Sequence, residues 1–357
     1  MAAEIIKQLF KYGARSFVPW FMAGIVFFSN QRSVWAGEEI RIEVALAERG
    51  EGLSFFYKCA RAYEKEHPGV TIDLYGDVKI NDKLRIRILE GSFPEATNAA
   101  SLNLPALIQN GDILELDGYL DGPNWERDRS WRESFLQGTL DRHTYDGEAY
   151  AVGLANHSMG IWYNKKMFRD HQWVPPATWE EFFVLCDQMK AKGIPPLAFQ
   201  GRYPSYATLI LFGAHYQIAG LQAFYDQQHL IPGSFDNPEF IRAAELTQRV
   251  ALNYFQKGAM GMSNTEAQLQ FFLGHTAMVV CGTWLKSEMT GKIPDGFEMG
   301  MFNFPSVAEG KGDPSALQSS SGYFFVFANS PHAETAVDFL RFMTSRRMAG
   351  LFSRDRD

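Results

Sequence analysis

The stretch IRIEVALAERGEGLSFFYKCARAYEKEHPGVTIDLYG, residues 40–76, decides the fold. Ile40, Ile42, Val44 and Leu46 recur with a period of two, the signature of a strand with one buried face. Leu53, Phe56, Tyr57 and Ala60 then fall at helical spacing, and Pro68-Gly69 stops the helix. Val70, Ile72 and Leu74 alternate again. A strand that returns by way of a helix pairs in parallel with the first, so the unit reads as βαβ.

The alternation continues outward. NDKLRIRILEGS (81–92) reads as a helix ending at Gly91, and ATNAASL (96–102) and EAYAVGL (148–154) as strands. TWEEFFVLCDQMKAKG (178–193) opens with a capping box: Thr178 accepts from the amide of Glu181, whose side chain reaches back. Phe182, Leu185, Cys186 and Met189 form its inner face, and Gly193 closes it. NPEFIRAAELTQRVALNYF starts on Asn237 as cap with Pro238 behind it, and SPHAETAVDFLRFMTS repeats that start at Ser330-Pro331. Strand and helix taking turns predicts an α/β fold with a largely parallel sheet. The expected loops are 121–130 and the Gly-, Ser- and Pro-rich 307–322.

Near the end of the pattern stands AMVVCGTW (277–284), a buried strand that runs into Gly-Thr-Trp. Trp284 is either ordinary core or an indole held at the mouth of a cleft.

The 357 residues suffice for two domains, with 46% hydrophobic and 21% charged residues, as in ordinary globular chains. A formal charge of −7 and the lack of a basic stripe argue against a nucleic-acid binder. Lys7, Lys11 and Arg15 precede the apolar run FVPWFMAGIVFF (17–28), and Val34-Trp35-Ala36 follows. A basic head, a short apolar run and a small residue at a cut site predict a signal peptide over 1–36, cleaved after Ala36, with an uncleaved anchor as the alternative. Removing it leaves 30 bases and 40 acids of the original 34 and 41, a balance of −10. Cys59, Cys186 and Cys281 are an odd set on apolar faces, expected as unpaired core thiols.

Enzyme signatures are missing. No phosphate-binding glycine loop, zinc-binding His or Cys spacing, or serine-nucleophile elbow occurs. The even spacing of His143, His157 and His171 across strand and loop does not converge ligands. Glu180-Glu181 sits in the first turn of a helix and favours its positive end. No catalytic residue, metal or cofactor is therefore expected.

Five strings in order, YEKEHPGVTIDL (63–74), YDGEAYAVGLANHSMGIWYNKKMF (145–168), PPATWEEFFVLCDQMKAKGIPPLAF (175–199), FFLGHTAMVVCGTW (271–284) and SSGYFFVFANSPHAETAVDFLRFM (320–343), carry a resemblance. Together they resemble the family 1 extracellular solute-binding proteins of bacterial ABC importers, the sugar-binding group that includes maltose-binding protein. The resemblance implies a two-lobed periplasmic-binding-protein fold with interleaved lobes and a ligand cleft between them. The first lobe would comprise 37–154 and 306–343 and the second 155–305, with crossings near VGLAN and NFPSV. Pro94-Glu95 stands where the family has Pro-Asp, and the segment 344–357, ending RRMAGLFSRDRD, looks truncated beside relatives that continue for several helices.

The resemblance also places Trp284 against a sugar ring, whose apolar C–H face an indole can cover, and puts Tyr323, after Ser319-Ser320-Ser321-Gly322, on the cleft wall. Glu48 and Arg49 follow the first strand and Asp77 the second, so both loops reach one edge. Asn103 follows the third strand, Asn156 and His157 adjoin the first crossing, and Tyr203 is a second-lobe aromatic. Each is expected as a ligand contact, with solvated loop charge or a satisfied hinge as the alternative. The implied function is the periplasmic component of an importer, a monomer that delivers a mono- or oligosaccharide to membrane permease subunits. GIPPLAFQGRYPSY and GTWLKSEM resemble the branch that binds N-acetylglucosamine or chitobiose. An exported carbohydrate-active enzyme and a sugar-sensing partner of a membrane receptor are the alternatives.

Overall fold

The computed structural model describes residues 39–48 and 52–354. The expected signal peptide and Arg49 lie outside the described residues.

The strands, in chain order, are β1 (Ile40–Ala47), β2 (Val70–Asp77), β3 (Ala96–Thr97), β4 (Thr144–Tyr145), β5 (Glu148–Ala149), β6 (Val152–Asn164), β7 (Leu197–Ala198), β8 (Met278–Gly282), β9 (Met299–Phe302) and β10 (Ser319–Val326). Eight of them form one sheet in the order β2-β1-β3-β10-β6-β8-β7, with β9 also on β6; β4 and β5 make a separate hairpin. β1 pairs in parallel with β2 and β3, as the βαβ reading requires, and β7 pairs in parallel with β8. The ladders of β10 with β3 and β6, and of β6 with β8 and β9, are antiparallel. The sheet is therefore mixed and not largely parallel. The difference lies in β6 and β10, which run against their neighbours.

β6 is the longest strand and serves two partners. Val152–Ser158 pairs with β10, and Met159–Asn164 with β8 and β9. The apolar clusters divide at the same place. Ile42, Val44, Phe56, Tyr63, Val152, Phe324 and Phe342 pack in one cluster, and Ala45, Ile80, Leu104, Phe325 and Phe327 in its neighbour. Met159, Ile161, Phe182, Met189, Met278, Phe304 and Val307 form a third, with Phe271, Phe272, Val279 and Cys281 in a fourth. NFPSV thus packs with the second pair of clusters, and Ser306 exchanges backbone hydrogen bonds with Ala177 and Trp179.

Local chemistry follows the sequence in most places. The capping box forms, with Thr178 Oγ1 accepting from Glu181 N at 3.2 Å and Glu181 Oε2 from Thr178 N at 3.3 Å. Asn237 caps its helix at 2.8 Å. Ser330 does not cap: its helix starts at Ala333, and its hydroxyl donates to Glu95 Oε1 at 3.0 Å. Glu95 also accepts from Glu43 N at 2.5 Å, so this carboxylate ties β1 to the end of β10. The helix Arg346–Arg354 packs on the first cluster. Cys59 Sγ lies 3.5 Å from Met348 Sδ, and Phe352 meets Phe55 edge to face at 4.9 Å.

Candidate functional site: a cleft at the strand ends

The three cysteines are buried and none is in a disulfide among the described residues. Burial, the largest cause, pushes the Cys281 thiol up to about 12 and raises that of Cys186 as well. Both stay protonated and unreactive at neutral pH. The three evenly spaced histidines go to separate places: His143 beside Tyr323, His157 beside Trp284 and His171 stacked on Trp173. Among the described residues, one trio of carboxylates lies close together, Glu115, Asp117 and Glu148. Arg132 at 2.5 Å and the Ala149 amide at 2.6 Å already occupy Asp117, and none of the three lines the cleft.

A cavity of about 670 Å³ opens where the two pairs of clusters meet. Ala47, Phe56, Leu154, Phe324 and Phe352 wall it from one side, and Tyr203, Tyr206, Asn264, Trp284 and Glu288 from the other. Ala155 and His157 of β6 and Ser320, Ser321 and Gly322 of β10 form the seam between them.

Trp284 owes its place to Gly282. A Cβ at position 282 would lie 2.2–2.5 Å from three atoms of the indole six-membered ring. Only a glycine at the end of β8 lets the ring fold back over the strand. The indole meets His157 edge to face at 5.3 Å and 80°. Burial raises the Tyr206 hydroxyl above the ordinary tyrosine value, the charges of Cys281 and Glu288 add to this, and a hydrogen bond from the Trp284 side chain opposes it. Tyr206 is a neutral donor at any physiological pH. Asn264 Oδ1 is buried without a hydrogen-bond partner among the described residues.

Of the expected contacts, Trp284, His157, Tyr203 and Glu48 line this cavity, and Arg49 is outside the described residues. Four others stand elsewhere. Asp77 is ion-paired with Lys83 and accepts from Lys79 N at 2.7 Å; those bonds, Lys83 first, hold its carboxyl below the usual range. Asn103 caps the helix Leu104–Gln109 through Ala106 N at 3.4 Å. Asn156 is exposed on β6, between the lining residues Ala155 and His157. Tyr323 points off the cleft face, where its ring lies 4.2 Å from His143 and its hydroxyl donates to Ala100 O at 3.3 Å. Sequence reasoning missed Asn98, Tyr206, Asn264 and Glu288. Tyr206 stands in QGRYPSY beside the chosen Tyr203, and Glu288 in the quoted GTWLKSEM, so both strings held the signal.

A long strand shared by two cores, with a polar and aromatic cleft at the crossing, defines a two-lobed α/β binding protein. The chain belongs to the bacterial extracellular solute-binding protein family, whose sequence profile matches residues 47–349. That is a family of binding proteins, not of enzymes. The multiple sugar-binding protein of Streptococcus mutans is 24% identical over 305 residues, 81% of this chain and 68% of that one. The diacetylchitobiose-binding protein NgcE of Streptomyces coelicolor is 21% identical over 318 residues, 88% of this chain and 68% of that one. Among solved structures, RafE of Streptococcus pneumoniae in complex with raffinose superposes with a TM-score of 0.72 at 20% identity, covering 89% of this chain and 81% of that one. Among the described residues no helix is long and apolar enough to cross a membrane.

Proposed function

We propose that this protein is the periplasmic sugar-capturing subunit of an ABC importer, working as a monomer that hands its ligand to membrane permease subunits. The observation that carries this reading is the make-up of the cleft: Trp284, Tyr203 and Tyr206 stand beside Asn98, Asn264, His157 and two serines. Aromatic faces cover the apolar C–H face of a sugar, and the polar side chains take its hydroxyls in pairs. Asn264 brings a buried acceptor with no partner among the described residues, which a ligand hydroxyl can satisfy. The cavity, about 670 Å³, lies within the usual range for small-molecule sites.

The lobes are then close to the expected 37–154 with 306–343 and 155–305, except that Val307 and Lys311 pack with the second core and Met348 with the first, so the return crossing falls just before β10. A ligand touching both stabilises the closed form, so occupancy and closure are coupled. Micromolar binding requires about −8 kcal/mol, whereas each hydrogen bond nets about 0.5–1.5 kcal/mol. Contacts from both lobes are therefore needed. Within the sugars, N-acetylglucosamine or its dimer is favoured by the GTWLKSEM and GIPPLAFQGRYPSY strings and by the printed ligand of the Streptomyces relative.

A thermal-shift panel tests this on protein recovered from the periplasmic fraction of its host. At a hundredfold excess over Kd, one sugar should add about 2.7 kcal/mol of stability. A flat response to di-N-acetylchitobiose and to every other saccharide in the panel would remove the sugar reading, and absence from that fraction would remove export.

A further inference from the structure

Glu288 ends the short helix Leu285–Glu288 that follows Trp284, and the residue lines the cleft. It is held from behind. Gln268, fully buried, donates its Nε2 to Glu288 Oε2 at 2.6 Å; the same amide nitrogen lies 3.8 Å from Cys281 Sγ. A carboxylate can only accept, so the amide must present its NH₂ to Glu288, which leaves Gln268 Oε1 buried without a partner among the described residues. A buried amide that gives up one of its own bonds to hold a cleft carboxylate is positioning that carboxylate. Gln268 rides on the helix Asn264–Phe272, whose start is fixed by the capping box of Ser263 and Glu266.

The charge around it is one-sided. Glu48 faces the cleft from the other lobe, and no lysine or arginine occurs among its described lining residues. His157 is the one basic side chain there. We propose that Glu288, locked in place by Gln268, is the charge filter of this cleft, admitting neutral and amino saccharides and rejecting those that carry a carboxylate or phosphate. The inference rests on the sugar reading above. Hydroxyl and ammonium groups bring donors to the fixed oxygens, whereas an anion would be desolvated beside like charge with no lysine or arginine among the described lining residues to offset it.

The experiment compares matched pairs by calorimetry: di-N-acetylchitobiose with its 6-phosphate, xylobiose with the corresponding aldobiouronic acid, and galactose with galacturonic acid. The wild type should bind the neutral member of at least one pair a hundredfold or more tighter than the acidic member. Glu288→Gln should narrow that ratio at least tenfold by gaining affinity for the acid, and raising the salt concentration should narrow it in the wild type by screening. The salt series needs no variant, so it stands even if a substitution impairs folding. Gln268→Met, which keeps the volume and frees Glu288, should weaken the neutral sugar at least fivefold without lowering the melting temperature of the free protein. Equal affinity for both members of a pair, or a ratio unmoved by both Glu288→Gln and salt, overturns the filter. Unchanged affinity in Gln268→Met overturns the positioning role. If no saccharide binds at all, the sugar reading falls first and takes the filter with it.

Discussion

Gly282→Ala is the smallest change that asks whether the indole at 284 does what its position suggests. The new methyl carbon would stand 2.2 Å from the nearest ring atom, and ordinary contact begins at 3.4 Å, so the ring must retreat by at least about 1.2 Å. The φ of Gly282 is not in the left-handed region, so backbone strain adds nothing and the effect is steric alone. Trp284 is only half-buried and one of its faces is the cleft, so the ring can yield without opening the core. Overpacking costs about 1–3 kcal/mol where nothing can move, and the loss of stability here should sit at the low end, near 1 kcal/mol. The larger effect falls on the ligand. Ring contacts are worth about 0.5–1.5 kcal/mol beyond area burial, so a displaced ring should weaken sugar binding roughly two- to tenfold. Calorimetry on Gly282→Ala, Trp284→Ala and the double variant separates the causes. If the glycine acts only through the indole, the double variant binds as weakly as Trp284→Ala alone and no weaker. Wild-type affinity in Gly282→Ala, or full additivity in the double variant, would refute the reasoning.

Two further outcomes follow from side chains away from the cleft. Burial, with Arg142 adding, lowers the pKa of His143 from 6.5 to about 4, so the folded state holds it neutral while the unfolded chain takes up a proton. Stability should therefore be flat above pH 6.5 and fall as pH drops towards 4, by about 2 kcal/mol at pH 5; urea melts at pH 7 and 5 should show that loss shrink in His143→Phe, and an equal loss in both proteins would discount His143. Tyr323→Phe deletes the bond to Ala100 O and should cost about 1 kcal/mol of stability. Its sugar affinity should stay at the wild-type value, and a tenfold weaker affinity would return Tyr323 to the cleft.

The repeating features of the fold were legible because they are local. The period of two in β1 and β2, the capping box at Thr178 and the inner face Phe182, Leu185, Cys186 and Met189 each depend on neighbours a few residues away, and all are present. The sheet's mixed character was not legible, since an antiparallel ladder between β6 and β10 joins residues more than 150 positions apart. The expected third strand shrank to Ala96–Thr97 for a different reason. Thr97 Oγ1 donates to Ala45 O at 2.7 Å and Asn98 Oδ1 accepts from Ala47 N at 2.6 Å, so side chains replace the ladder where backbone pairing stops.

Two of the misplacements, Asp77 and Asn103, share one cause. Residues enter the cleft by standing just past the end of a strand: Glu48 after β1, Val78 after β2, Asn98 after β3 and Trp284 two beyond β8. Ligands of open α/β sheets gather at such ends, and the sequence marks the ends well. What it does not mark is which residue of each end turns inward, because polar side chains at strand ends have competing uses. Asp77 is taken by Lys83 and Asn103 by a helix cap, and the cleft is left with their neighbours Val78 and Asn98. On β10, Ser320, Ser321, Gly322 and Phe324 line the cleft, whereas Tyr323, placed at the register shift after Gly322, packs with Phe325 and Phe327 on the opposite face. A polar residue at a strand end is thus a weak pointer to a ligand until its local partner is known. Trp284 was placed by the resemblance and not by its strand end, and the reason it can stand there is that Gly282 leaves room for the ring.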